Sequence, residues 1–248
     1  MAKQVNKKEK IIPLRTERRE GVRDFSLTSR RKNRRTEMIK DIVFDFGGVL
    51  TTIDTERALQ KFRELGVEKP EQYINSYCQK GPFFELENGD ITAEEFCDAL
   101  GRLCGRRVTF DEAKDAWLGF LVEIHTLLLE YLQTLRGDYR LSVLSNTNPF
   151  IQSWALTSEF TPNGKSLADY FDMLFFSYRM NCSKPSSDIY RKMLEEGGMK
   201  AEETLFVDDG AKNIEAAEKE GIRTLLVTNG EDWRTALEKR LAEIAEIG

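Results

Sequence analysis

A chain of 248 residues, 40% of them hydrophobic, can bury a sizeable core and reads as one catalytic domain with an insertion. Its formal charge of -5 averages two unlike parts: residues 1–37 carry 13 Lys and Arg against 5 Asp and Glu, leaving 24 basic and 37 acidic residues in 38–248. No apolar run approaches the roughly 20 residues of a membrane helix, four scattered cysteines without a CxxC pair argue against a zinc ribbon or disulfide framework, and the single histidine, His125, leaves histidine triads without material.

Residues 1–37 end in the cluster Arg30, Arg31, Lys32, Arg34, Arg35, carry no sustained apolar period, and are expected to form a disordered basic leader. Two readings stand: a tail for nucleic acid or an anionic surface, or a solvated leader before a natural start at Met38. Next come Ile42, Val43 and Phe44, an apolar run without polar alternation, as a strand buried on both faces requires. Between it and the run Leu141, Val143, Leu144 lies helical periodicity, such as Ala58, Leu59, Phe62 and Leu65. Two capping boxes sit there too, Thr92 with Glu95 and Thr109 with Glu112. This predicts a helical cap over 52–122, inserted after the first strand, then a helix over 123–136 returning to a core made of 38–51 and 123–248. Phe83 and Phe84 are expected to pack inside the cap, and His125 to be a structural or surface residue.

Further apolar runs follow at Met173–Phe176, Leu205–Val207 and Leu225–Val227, with helices predicted at about 148–157, 187–197 and 211–221 and a last one through Trp233, Leu237, Leu241 and Ile244. This alternation predicts an α/β fold, a doubly wound parallel sheet, whose insertion can hang as a lid over the carboxyl edge where ligands bind. Cytoplasmic location and free thiols are the matching expectations.

The residues that end the apolar runs carry the chemistry. The first ends in Asp45, followed by Phe46, Gly47 and Gly48; the second in Ser145, followed by Asn146, Thr147 and Asn148; the fourth in Asp208 and Asp209. In a parallel sheet these groups share one edge, where clustered carboxylates raise each other's pKa unless a cation neutralises them. Mg²⁺, which takes carboxylate, carbonyl and phosphate oxygens, fits such a set. The arrangement suggests phosphoryl transfer: Asp45 as nucleophile, Ser145 donating its hydroxyl, Lys184 supplying a cation, and backbone amides of Phe46, Gly47 and Asn146 approaching the phosphate.

Four motifs in this order, IVFDFGGVL with Asp45, LSVLSNTN with Ser145, CSKP with Lys184 and LFVDDGAKNIEAA with Asp208 and Asp209, resemble the haloacid dehalogenase superfamily. Within it they are similar to the branch of bacterial α-D-glucose-1-phosphate phosphatase and the phosphatase domain of soluble epoxide hydrolases. The resemblance runs from Met38 to about Asn229. It implies a Rossmann-like core, a Mg²⁺ cofactor and an aspartyl-phosphate intermediate on Asp45. It further implies Asp45, the Gly47 carbonyl and Asp209 as metal ligands with Asp208 behind them, Asn146 and Thr147 lining the phosphate pocket, and Asn213 orienting the acidic loop or Lys184.

One departure stands out. Most of the superfamily's phosphatases place an Asp two residues after the nucleophile, where it protonates the leaving group; here Gly47 holds that position. Asp54, Glu85 or Glu87 can replace it, a good leaving group can dispense with it, or the protein binds without turnover. The second option favours a sugar 1-phosphate, whose anomeric oxygen is less basic than an ordinary alkoxide. The function expected is therefore Mg²⁺-dependent hydrolysis of a small phosphomonoester such as a sugar phosphate. The alternatives are a 2-haloacid dehalogenase and a weakly catalytic protein that binds a partner through its basic leader; the acidic body makes nucleic acid an improbable substrate, and no membrane partner is expected.

Overall fold

The computed structural model describes residues 11–13, 38–75 and 79–247. Its main sheet has six strands: β1 (Ile11–Pro13), β2 (Asp41–Phe44), β5 (Arg140–Ser145), β6 (Met173–Phe176), β7 (Thr204–Asp208) and β8 (Arg223–Leu226), in the order β1-β6-β5-β2-β7-β8. All pairings are parallel except β1 with β6. The run Ile42-Val43-Phe44 is wholly buried because alternate side chains enter different cores. Ile42 and Phe44 join Leu128, Trp233 and Leu237 on one face; Val43 joins Tyr190, Phe206 and Ile214 on the other. Helices α5 (Thr126–Leu135) and α10 (Arg234–Ile247) supply the first face, and α8 (Ser187–Gly197) and α9 (Ala211–Lys219) the second. The doubly wound α/β sheet is the one the alternating runs predict.

The cap consists of α1 (Thr55–Leu65), α2 (Pro82–Asn88), α3 (Ala93–Cys104) and α4 (Phe110–Leu118). Both predicted capping boxes form, at the starts of α3 and α4. The four helices close on an aromatic cluster in which Phe83 sits 5.0 Å from Phe62, 5.1 Å from Phe96 and 5.6 Å from Trp117, ring centre to ring centre. Phe84, expected beside it, is exposed instead, because Phe83 and Leu86 already fill the inward face of α2.

Three further expectations need correction. Within the leader, Ile11–Pro13 add an antiparallel edge strand opposite Met173–Phe175, so these three residues belong to the sheet; the rest of 1–37, its basic cluster included, lies outside the described residues. The returning helix starts at Thr126, not at 123, because Leu121–Ile124 form β4, paired antiparallel with β3 (Thr51–Ile53) as a two-stranded ribbon at the root of the cap. The last strand is Arg223–Leu226 with Leu226 exposed, as suits a sheet edge.

The ribbon is pinned to the core. The Asn229 side chain accepts from the Ile53 N–H (3.0 Å) and donates to the Ile53 carbonyl (2.9 Å), and the Trp233 indole donates to the Val49 carbonyl (2.8 Å). His125 precedes α5 and is hydrogen-bonded through Nε2 to Thr52 Oγ1 at 2.9 Å, a bond within the ribbon's base.

Candidate active site

Strand register brings the site together. Phe44 lies opposite Val143 and Val207, so Asp45 emerges level with Asp208 and its N–H donates to the Val207 carbonyl at 2.8 Å. Lys184 enters from the loop after α7 (Ser177–Met180) and places its buried Nζ 2.8 Å from Asp45 Oδ1 and 2.7 Å from Asp208 Oδ2. The Asn146 side chain fixes that lysine: its Oδ1 accepts from the Lys184 N–H (2.8 Å) and its Nδ2 donates to the Lys184 carbonyl (2.9 Å). Expected in the wall of a phosphate pocket, the Asn146 side chain is engaged in positioning the cation.

Asp208 is fully enclosed and fully employed. Besides Lys184 it accepts from the Gly210 N–H (2.7 Å) and from Asn213 Nδ2 (2.9 Å), so Asn213 holds the acidic loop and not the lysine. Asp209 makes none of these bonds and is half-buried. It closes onto Gly48, whose φ is +78° and where a Cβ would sit 2.1 Å from Asp209 Oδ2. A residue with a side chain there would strain the backbone and displace the carboxylate.

Asp45, Asp208 and Asp209 each bring a carboxylate oxygen within 4.8 Å of the others. Burial, with the Asp208 and Asp209 charges adding and Lys184 opposing, pushes Asp45 up to about 7. Burial and Asp208, again against Lys184, push Asp209 up to about 6. On Lys184 burial acts to lower the pKa, but the Asp208 and Asp45 carboxylates outweigh it and hold the ammonium above its usual range. One cation among three crowded carboxylates leaves an unbalanced, oxygen-only donor set, which a hard divalent ion such as Mg²⁺ fits.

The other predicted residues are accounted for. Ser145 is buried at the end of β5, its Oγ 3.3 Å from the Asn146 carbonyl. The Phe46 N–H donates to Asp45 Oδ1 at 2.7 Å, so it orients the aspartate. The Thr147 N–H donates to Ser177 Oγ at 3.0 Å. Gly47 lies under Ile53: a Cβ there would meet Ile53 Cδ1 and Cγ1 at 3.2 Å, so apolar side chain fills the place where an acid was looked for.

A haloacid dehalogenase-like hydrolase model matches residues 39–221. The chain belongs to that family. D-ribitol-5-phosphate phosphatase of Bacteroides thetaiotaomicron is 46% identical over 200 residues, 81% of this chain and 97% of that protein. Among solved structures, a HAD-like family hydrolase from Porphyromonas gingivalis superposes with a TM-score of 0.79 at 42% identity, covering 82% of this chain and 98% of that one. A HAD family enzyme of B. thetaiotaomicron, in complex with magnesium and inorganic phosphate, has a TM-score of 0.73 at 34% identity, with 80% and 98% coverage.

At this edge Ser177 escaped the sequence reading, which named Asn148 without its capping role and offered Glu87 only beside Asp54 and Glu85. Ser177 links the loop after β5 to the cap, since its Oγ donates to the Glu87 carbonyl (2.6 Å) while it contacts Thr147. Asn148 caps α6 (Pro149–Ala155), its Oδ1 accepting from the Phe150 and Ile151 N–H groups; the Asn-Pro pair at a strand end was a legible sign of that cap. Glu87 lies close enough to Asp45 to feel its charge. Burial first, then Asp45, push its carboxyl up to about 8 against the amide of Asn148, which favours the ionised form. The remaining thiols among the described residues, Cys97, Cys104 and Cys182, are free and shifted upward by burial, which makes them poor nucleophiles. Cys78 lies outside the described residues. Among those described, no helix is long and apolar enough to cross a membrane.

Proposed function

We propose that the chain is a Mg²⁺-dependent phosphatase of small phosphorylated polyols or sugars, working through an aspartyl-phosphate on Asp45. The observation that carries this reading is the placement of the Lys184 ammonium between Asp45 and Asp208, at the ends of two adjacent parallel strands. That geometry aims a carboxylate nucleophile and a fixed cation at one point, as phosphoryl transfer requires.

The steps follow from the residues. Asp45 Oδ attacks phosphorus, and the bond to the ester oxygen breaks. Lys184, its backbone clamped by Asn146, faces the charge that builds on the phosphoryl oxygens, with the Ser145 hydroxyl and the Gly47 amide as further donors. Asp45, the Gly47 carbonyl and Asp209 would hold the metal, with Asp208 behind them anchoring Lys184 and the loop through Gly210 and Asn213. Mg²⁺ there supplies neutralising charge to the phosphate and the carboxylates. Water then displaces Asp45 and releases inorganic phosphate.

The relative's name supports an alditol 5-phosphate, an ester of a primary alcohol, ahead of a sugar 1-phosphate. A panel of ribitol 5-phosphate, hexose 1-phosphates and hexose 6-phosphates, assayed with Mg²⁺ and with EDTA, tests both levels. We expect Mg²⁺-dependent phosphate release, fastest on the primary polyol ester, and loss of at least about 10⁴-fold in Asp45→Asn. Full activity in that variant would sink the mechanism, and a preference for 1-phosphates would restore the anomeric reading.

A further inference from the structure

A primary alkoxide is a poor leaving group, so a phosphatase acting on such esters needs a proton donor, and Gly47 is not one. Of the three acids that the sequence offers, Asp54 is exposed and engaged in capping α1, its Oδ1 accepting from the Arg57 N–H at 3.0 Å. Glu85 is exposed and lines a groove of the cap with Tyr73, Glu95 and Arg102. Glu87 alone of the three stands at the catalytic edge, and the structure holds it there at several points. Its carbonyl accepts from Ser177, which contacts Thr147. The next residue, Asn88, accepts from Ser183 Oγ (3.3 Å), the neighbour of Lys184. The carbonyl of Gly89 accepts from Asn181 Nδ2 (2.9 Å). Gly89 itself lies so near the Tyr178 carbonyl that a Cβ would come within 2.1 Å of the oxygen. Beside the Glu87 carboxyl lies the completely buried side chain of Asn148, whose amide favours the ionised form.

We propose that Glu87 is the acid and then the base of the reaction. As Asp45 Oδ bonds to phosphorus, the Glu87 carboxyl gives its proton to the departing ester oxygen, which leaves as the alcohol. The resulting carboxylate, steadied by Asn148, takes a proton from the water whose oxygen then bonds to phosphorus. Asp45 departs as a carboxylate, and Glu87 is protonated for the next cycle. The inference rests on the phosphatase reading above.

The protonation state supports it, since a carboxyl held up to about 8 is still acid at neutral pH. The groups that face it are few. Asp45 comes from the end of β2 and Asn148 from the start of α6. Helix α7, packed against α2, carries Ser177, whose Oγ donates to the Glu87 carbonyl, Tyr178, whose phenol burial pushes up, and Arg179, whose guanidinium lies over the Phe176 and Tyr178 rings. Lys184, from the loop beyond, is bonded to the two aspartates.

The test compares two esters on the full chain with Mg²⁺: the best alkyl phosphate of the panel and p-nitrophenyl phosphate, whose leaving group needs no proton. Glu87→Gln should lower kcat/KM on the alkyl ester by about 10²- to 10⁴-fold and far less on the aryl ester. There it should release a burst of about one nitrophenolate per enzyme before a slow phase, because the base for the second step is gone. The alkaline fall of wild-type kcat/KM near pH 8 should vanish in this variant. Equal losses on both esters with no burst and an unmoved pH profile would assign Glu87 a structural role and overturn the proposal. If Glu87→Gln does not fold, Glu87→Asp decides: a larger loss on the alkyl than on the aryl ester supports the proposal, and equal losses overturn it. Failure of the phosphatase reading itself looks different, because wild type would then turn over neither ester.

Discussion

The carboxyl edge of the sheet and the seam where α2 meets it both set polar groups around one point, and they do so by different means. At the edge, strand register does the work: Asp45 and Asp208 are level because Phe44 pairs with Val207, and each strand is buried on both faces and cannot slip. At the seam no ladder exists, and position depends on side chains of Ser177, Asn181 and Ser183 bonding to three consecutive residues of the cap. The edge is set by core packing; the seam is set by individual hydrogen bonds and one close backbone approach. Damage to the edge should therefore abolish activity, whereas damage to the seam should loosen the cap and spare the Asp45 cluster.

The largest effect is expected at the edge. Lys184→Met removes the ammonium and leaves Asp208, fully enclosed, facing Asp45 without a counterion. Breaking a buried pair in this way costs about 3–5 kcal/mol, and loss of a fixed cation aimed at the phosphoryl oxygens costs about 10²- to 10³-fold in kcat. Thermal melts and steady-state rates should both fall. A variant with wild-type melting and rates would show that the ion pair is incidental.

A smaller effect, confined to the seam, is expected from Gly89→Ala. Its φ of +78° and a Cβ 2.1 Å from the Tyr178 carbonyl combine strain with a clash against backbone, worth about 2–3 kcal/mol together. Gly105→Ala is the matched control: φ is +63° but nothing lies within 4 Å of the added Cβ, so about 1 kcal/mol of strain alone is expected. Gly89→Ala should raise KM and lower kcat on the polyol ester, and Gly105→Ala should change neither. Equal kinetics in the two variants would mean that the α2 contact does not position the cap.

This contrast also explains what the sequence could disclose. Asp45, Ser145 and Asp208 were legible because each follows an uninterrupted apolar run, and such runs in α/β alternation share one edge. The six-residue β5 and the capped helices α3 and α4 were legible for similarly local reasons. The β3–β4 ribbon was not, because three- and four-residue strands carry too little periodicity to stand out from helical flanks. Nor was β1, whose partner lies some 160 residues away and whose surroundings are polar. The choice between Glu85 and Glu87 had a usable signal. Glu87 is four residues from Phe83 and one from Leu86, on the apolar face of α2, whereas Glu85 is turned away from it. Beyond that face α2 meets α7 through Ser177 and its neighbours, and no spacing in the chain announces those contacts.

The smallest effect tests whether the seam trades stability for chemistry. Glu87 is raised in the folded protein to about 8, chiefly by burial, above the ordinary glutamate value it regains on unfolding. Its contribution to stability is therefore complete below about pH 4.5 and declines as pH rises through that window toward 8, because unfolding then releases a proton that the native state retains. Gln at this position keeps the shape without the titration. Glu87→Gln should match wild type near pH 4.5 and melt progressively higher than it as the pH rises toward 8. The same substitution that removes the proposed proton donor should thus stabilise the fold, and the gain should grow with pH. If the variant instead melts lower than wild type at pH 8, the carboxyl is ionised and satisfied at the seam, and it cannot be the group that protonates a leaving alkoxide at neutral pH.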